Sequence, residues 1–199
     1  MAAGLDGRWE IGIGDPTPMG WITVAAYVAA AVLAWRNVGA ARRTAVPASF
    51  WIALTALMVV LGLNKQLDLQ TWLSEAGRDL AIEQGWWAER RSVQATFIAL
   101  LAVAALVVVV GARAYWATLW HEYRAAFVGV CLLLTFIVIR AASFHHVDMI
   151  LRSDLGATSL HRVLEIVGVL VVAAASAWWH AMHRRRVTRF AIQRALRGR

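Results

Sequence analysis

Five long apolar stretches decide what this chain can fold into. A helix needs roughly 20 apolar residues to cross about 30 Å of hydrocarbon, and each stretch has about that length. Of the 199 residues, 60% are hydrophobic and 16% are charged, whereas about 25% of residues are charged in soluble proteins. The sequence therefore predicts an all-α, polytopic membrane helical bundle with five transmembrane helices. They occupy about residues 19–36, 48–66, 92–112, 124–146 and 160–182.

The rest of the chain is organised around these spans. Residues 1–18 are predicted to form an outer N-terminal tail. Residues 19–183 form a single transmembrane bundle, and residues 184–199 form a basic cytoplasmic tail. A cleaved signal peptide is not indicated for the first span, because acidic residues precede it and an arginine follows it.

The distribution of charge predicts the orientation of the bundle. Cytoplasmic connections of membrane proteins carry an excess of Lys and Arg. Here three arginines follow the first span and seven follow residue 180, whereas the connections on the other side are net negative. We therefore expect the N-terminus outside and the C-terminus in the cytoplasm, in a bacterial cytoplasmic (inner) membrane.

The net charge of +8 is concentrated in the C-terminal tail. Arginines interleaved with apolar residues are typical of a juxtamembrane helix that binds anionic lipid headgroups, at roughly 1 kcal/mol per basic residue. The lipid bilayer is thus the predicted partner of this tail, and no nucleic acid is expected. The residues concerned are Arg184, Arg185, Arg186 and Arg189.

The connection between the second and third spans predicts a short amphipathic helix at the outer interface. Ser74 could cap this helix and Gly85 could end it. Lys65, the only lysine beside nineteen arginines, comes just before this connection, and Asp68 follows three residues later as a potential partner. Lys65 and Asp68 are therefore candidate polar residues of the outer face, although chance alone could leave one lysine in an arginine-rich chain.

The connection between the fourth and fifth spans contains charges at membrane depth. Counting 1.5 Å per residue places Arg140 and Glu165 roughly 6 to 9 Å inside the outer helix ends. An unpaired charge there costs about 2.5–3.5 kcal/mol, so we predict a buried ion pair between Arg140 and Glu165. The alternative is that Arg140 reaches outward to water and Glu165 pairs with Arg162 on the next turn.

Three histidines flank this predicted ion pair and suggest a divalent metal site. His145 and Asp148 share a helix face, as do His161 and Glu165. Converging faces would bring His145, His146 and His161 together as metal ligands, with Asp148 or Glu165 as a catalytic general base. The alternative is a hydrogen-bond network without metal, because this spacing matches no established metal motif.

A b-type haem is a second use of the same histidines. One haem would lie near the outer face, and another near the inner face where further histidines flank the fourth and fifth spans. The candidate ligands are His145 or His146 with His161 for the outer haem, and His121 with His180 or His183 for the inner haem.

Several sequence strings resemble a family of bacterial multi-pass inner-membrane proteins. These strings are GDPTPMGW, LNKQLDLQTWL, QGWW and RAASFHHVD, and they contain the fairly specific motifs NKQLDLQ and SFHHVD. The resemblance covers residues 14 to about 170. It implies a multi-pass helical membrane protein and implies no activity, because no function is established for that family.

Three functions are compatible with these patterns. The first is a non-enzymatic subunit or binding module of a membrane complex, with an outward His/Asp/Glu/Arg polar cluster. The second is a metal-dependent enzyme acting on a lipid or lipid-linked substrate at the outer leaflet. The third is electron transfer through haem. The small size and the lack of internal repeats favour the first and argue against a transport pathway.

Overall fold

The computed structural model describes residues 15–43, 46–67, 69–85, 87–143 and 157–197, and every regular element in these ranges is helical. Of the predicted site residues, Asp68, His145, His146 and Asp148 lie outside these ranges. The helices are α1 (Pro18–Arg42), α2 (Ser49–Leu67), α3 (Leu69–Glu83), α4 (Arg90–Tyr115), α5 (Trp120–Ser143) and α6 (Ala157–Arg197).

Five of the described helices are long and apolar enough to cross a membrane: α1, α2, α4, α5 and α6. The prediction of an all-helical chain with five such segments is confirmed. Two helices extend well past their predicted spans, because backbone hydrogen bonding does not stop where the apolar residues stop. α1 continues through Arg36 to Arg42, and α6 continues as one helix of 41 residues to Arg197.

The start of α1 follows from a short local motif. Thr17 is the N-cap, and its hydroxyl accepts a hydrogen bond from the backbone N–H of Gly20 at 3.1 Å. Pro18 occupies the first helical position, where its missing N–H has no helical acceptor to lose. The cap thus fixes where α1 begins, and Asp15, just before it, contacts Lys65 in α2.

Four helices share the buried core. α1 packs against α2 and α6, and α6 packs against α5. Small residues let these helices approach closely: the Cα of Gly129 in α5 faces Val172 in α6, and Gly168 in α6 faces Leu133 in α5. On α1, the core face consists of Ala30, Ala31, Ala34, Val38 and Ala41.

α4 lies beside this four-helix core and contributes little to it. Its main helix contact is with α5, and it has the highest mean hydropathy of the five spanning helices, 2.7. Large side chains such as Leu100, Leu106 and Val107 are each more than 60% exposed. α4 therefore presents most of its apolar surface outward from the protein.

α3 corrects one sequence prediction and agrees with another. The helix begins at Leu69, so Ser74 lies inside it and is not its N-terminal cap. Since α2 ends at Leu67, α3 follows it almost directly, and the helix needs no capping side chain at position 74. Gly85 ends this region with a φ of 75°, a conformation that glycine adopts without steric cost.

Candidate functional site

Lys65 in the last turn of α2 forms the centre of a cluster of charged side chains. Its Nζ donates to Glu165 Oε2 in α6 at 3.1 Å and lies 3.6 Å from Asp15 Oδ2. The ammonium group therefore bridges the segment before α1, the end of α2 and the first half of α6. We call the site formed by Asp15, Tyr27, Lys65 and Glu165 the polar cluster.

Glu165 is the most deeply buried of the three charged residues in the polar cluster. It is 4% exposed and lies within the spanning segment of α6. While Lys65 binds Oε2, the Tyr27 hydroxyl donates to Oε1 at 3.4 Å. Both carboxylate oxygens thus have partners within the chain, as a buried charge requires.

The position of Tyr27 depends on a glycine in the neighbouring helix. A Cβ at Gly62 of α2 would lie 3.1 Å from the Cβ of Tyr27. Tyr27 itself is 1% exposed, so its ring fills the space between α1 and its neighbours. Gly62 therefore permits the close approach of α1 and α2 on which the placement of the Tyr27 hydroxyl depends.

Asp15 connects the polar cluster to the surface. Both the backbone N–H and the hydroxyl of Thr17 donate to Asp15 Oδ1, at 3.2 and 2.6 Å. The hydrogen bond from the Thr17 hydroxyl lowers the pKa of Asp15 below its usual value, and the charge on Lys65 lowers it further. With Oδ1 held by Thr17, Oδ2 is the oxygen that faces Lys65.

Arg140, near the end of α5, interacts electrostatically with Tyr27 and so belongs to the surroundings of the polar cluster. The partner of Glu165 that the described contacts give is Lys65, a bond that the sequence analysis did not anticipate. Arg162 is exposed one turn before Glu165. The pairing of Arg140 with Glu165 stays a prediction, as does the pairing of Lys65 with Asp68.

The candidate metal and haem ligands fall mostly outside the described residues. His145, His146 and Asp148 lie in the gap between α5 and α6, and His161 is in α6 with its side chain undescribed. Within the ranges that the structure describes, no group of three His, Cys, Asp or Glu side chains could hold a metal ion. The outer metal site and the outer haem therefore stay predictions.

An aromatic group lies at the opposite end of the same bundle. Phe50 stacks on Tyr123 with ring centroids 4.3 Å apart, and Trp51 packs against Trp179 at 4.9 Å. Two polar bonds fix the edge of this group: Trp179 Nε1 donates to Glu122 at 3.1 Å, and the Tyr123 hydroxyl donates to the carbonyl of Pro47 at 3.2 Å. These rings join the starts of α2 and α5 to the later half of α6.

Two of the three histidines at this end of the bundle, His180 and His183, have partners within the protein. His180 Nδ1 lies 3.0 Å from Oδ1 of the fully buried Asn37, which also donates to the Ser176 carbonyl at 2.9 Å. His183 stacks on the Trp179 ring at 4.5 Å. His121 is exposed at the start of α5. Nothing described here brings His121 to either of the other two, and ligation of an inner haem stays a prediction.

The basic residues at the end of α6 continue the helix rather than starting a separate segment. Arg184 and Arg185 are exposed, and the helix includes Arg186 and Arg189, whose side chains are not described. Their contact with lipid headgroups stays a prediction.

Comparison with protein-family models, with curated proteins and with solved structures finds no match to this chain. The chemistry of the site must therefore be argued from its own geometry. That geometry is a buried ion pair with a hydrogen-bonding tyrosine, linked through one lysine to a carboxylate at the surface.

Proposed function

We propose that this protein is a non-enzymatic integral membrane protein that serves as a subunit of a larger membrane complex. The partner is another membrane protein, and α4 is the helix that contacts it. In this proposal the chain resides in a bacterial inner membrane with the polar cluster near the outer face. Its basic C-terminal tail binds anionic lipids on the cytoplasmic side.

The observation that carries the proposal is the position of α4. None of its most apolar 18 residues is buried in the protein, whereas the corresponding share is 33% in α1 and 39% in α6. Helices in membranes associate through packing and small residues rather than through exclusion of water. The outward face of α4 carries such residues, Ser92, Thr96 and Ala99, one turn apart.

The polar cluster supports a non-enzymatic role. A general base needs a lone pair that faces the substrate. Glu165 is 4% exposed, and its two oxygens accept hydrogen bonds from Tyr27 and Lys65. In this arrangement Glu165 connects helices, and both of its oxygens contact donors of the protein itself.

Photocrosslinking in intact cells tests the proposal. A photoreactive residue at Leu106 of α4 should give one discrete protein adduct, identified by mass spectrometry, because this position faces the partner. The same residue at Val28 of α1, which is 56% exposed, is the matched control and should give lipid adducts only.

A competing substitution makes the test specific. Ala99→Phe adds bulk to the face of α4 that carries Leu106, seven residues away, and should abolish the adduct while leaving the monomer folded. Lipid adducts alone at both positions would contradict the proposal. An adduct made of two copies of this chain would replace the proposed complex with a homo-oligomer.

A further inference from the structure

Three titratable side chains of the polar cluster lie in a row from the surface to the interior. The side chains of Asp15, Lys65 and Glu165 are 32%, 14% and 5% exposed, respectively. Successive polar atoms are close: Asp15 Oδ2 is 3.6 Å from Lys65 Nζ, which is 3.1 Å from Glu165 Oε2. Chains of titratable groups at membrane depth are typical of proton relays.

The choice of lysine in the middle position is informative. Every other basic residue of the chain, nineteen in all, is arginine. An arginine would suit a purely structural ion pair, since its planar group can bind a carboxylate through two parallel hydrogen bonds. A guanidinium group keeps its proton in proteins, whereas a buried ammonium group can release one. Lysine thus adds one chemical capability at position 65, the transfer of a proton.

We propose that Glu165 is a proton-binding site that fills from the surface through Asp15 and Lys65. This inference stands on the polar cluster alone and does not rest on the proposed role of α4. Its ligand is the proton itself, and the relay ends inside the bundle on the α6 carboxylate.

The transfer conserves protons and charge. The Asp15 carboxylate first takes a proton from a hydronium ion at the surface, which becomes water. The Lys65 ammonium then passes a proton to Glu165 Oε2, and the resulting neutral amine takes the proton from Asp15. The net change is one proton moved from solvent to Glu165, with Lys65 again an ammonium and Asp15 again a carboxylate.

The surrounding groups define which oxygen receives the proton. The Tyr27 hydroxyl in α1 donates to Oε1, so Oε2 is the oxygen available to the Lys65 proton. Arg140 in α5 interacts electrostatically with Tyr27, the residue that donates to Oε1. Arg162, on α6 itself, is exposed and its charge is screened by solvent.

Protonation of Glu165 would weaken the contact of Lys65 with α6 and leave its contact with Asp15 intact. Neutral Glu165 no longer attracts Lys65 as an ion, whereas Asp15 still does. The ion pair between α2 and α6 is therefore lost, and the ion pair between α2 and the segment before α1 remains. Proton binding would loosen α6 at its polar end.

Infrared difference spectroscopy on the purified protein in lipid bilayers provides the first test. Acidification should produce the carbonyl band of a protonated carboxyl group, and Glu165→Gln should remove it. If the wild-type and Glu165→Gln spectra agree at every pH at which the protein stays folded, Glu165 binds no proton and the proposal fails.

The rate at which Glu165 becomes protonated after photorelease of protons tests the route through Asp15 and Lys65. Lys65→Arg keeps the positive charge and should fold, as checked by its cooperative melting, but it should lose the fast rise of the Glu165 band. Fast filling in Lys65→Arg at the wild-type rate would overturn the relay.

A surface variant gives an independent answer if Lys65→Arg does not fold. Asp15→Asn removes the entry carboxylate and should slow the rise of the Glu165 band. Asp79→Asn removes an exposed carboxylate on α3, is the matched control, and should leave the rate unchanged. Equal rates in Asp15→Asn and the wild type would show that protons reach Glu165 by another path.

Discussion

Lys65 and Glu165 stabilise each other only as a pair. Removing one member of a buried ion pair leaves an uncompensated charge and typically costs about 3–5 kcal/mol, whereas replacing both can be nearly neutral. Glu165 has a second partner in Tyr27, whose hydroxyl donates at 3.4 Å. This bond is longer than the one from Lys65, at 3.1 Å, so Lys65 is the main source of compensation.

A double-mutant cycle tests this dependence. Lys65→Met should lower the free energy of unfolding by about 3–5 kcal/mol, because Glu165 loses its counter-ion. The double variant Lys65→Met with Glu165→Gln should recover part of that loss, as measured by denaturant unfolding in bicelles. Arg162→Met is the matched control and should have little effect, since Arg162 is exposed. A double variant no more stable than Lys65→Met would contradict the coupling.

Asp15 makes the stability of the bundle depend on pH on the acid side. Its pKa is lowered in the folded protein, chiefly by the hydrogen bond from Thr17. A carboxyl group with a lowered folded-state pKa contributes stability above its unfolded pKa and loses it as the pH falls toward the folded-state pKa. The melting temperature of the wild-type protein should therefore fall when the pH drops below the ordinary pKa of Asp. The melting temperature of Asp15→Asn should fall less. An equal fall in melting temperature with pH in the two proteins would contradict this role of Asp15.

The contact between α5 and α6 depends on two glycines. A Cβ at Gly129 would lie 2.6 Å from Val172 Cγ2 and 2.9 Å from the Val172 backbone nitrogen. The backbone atom cannot be moved by a change of rotamer, so any side chain at 129 must push the helices apart. The structure therefore depends on these glycines for close packing rather than for backbone freedom.

Alanine substitutions at two glycines test this packing role. Gly129→Ala should destabilise the bundle by about 1–3 kcal/mol through overpacking, as measured by thermal unfolding. Gly39→Ala in α1 is the matched control, because nothing lies within 4 Å of its Cβ position. It should be neutral or stabilising, since alanine favours helix. Equal effects of the two substitutions would exclude a packing role for Gly129.

The five long apolar helices were predicted from sequence, and the contact between Lys65 and Glu165 was not. Hydropathy is a property of consecutive residues, so the five spanning helices could be recognised directly. The rise per residue gives the depth of Glu165 but not the direction of its side chain or the helices beside it. The bond from Lys65 joins residues 100 positions apart, and it required knowing that α2 and α6 meet at the polar end. The unusual single lysine was the available signal, and its local neighbour Asp68 was the partner that spacing suggested.

The orientation of the bundle can be tested with single cysteines. Cys131→Ser removes the one native cysteine, after which Glu83→Cys at the end of α3 and Arg43→Cys after α1 can be compared. Both positions are exposed. An impermeant maleimide should label Glu83→Cys in spheroplasts and Arg43→Cys only after lysis, because the positive side is predicted to be cytoplasmic. The reverse pattern would invert the predicted topology.

The length of α6 gives the bundle a lever arm. Its 41 residues amount to about 60 Å of helix, of which about 48 Å lie beyond Glu165. If such a rod tilts by about 10° at the polar end, its far end moves sideways by about 8 Å, close to the distance between two packed helices. A local change in one ion pair could thus displace the arginine-rich terminus at the far end of α6, without any refolding between the two.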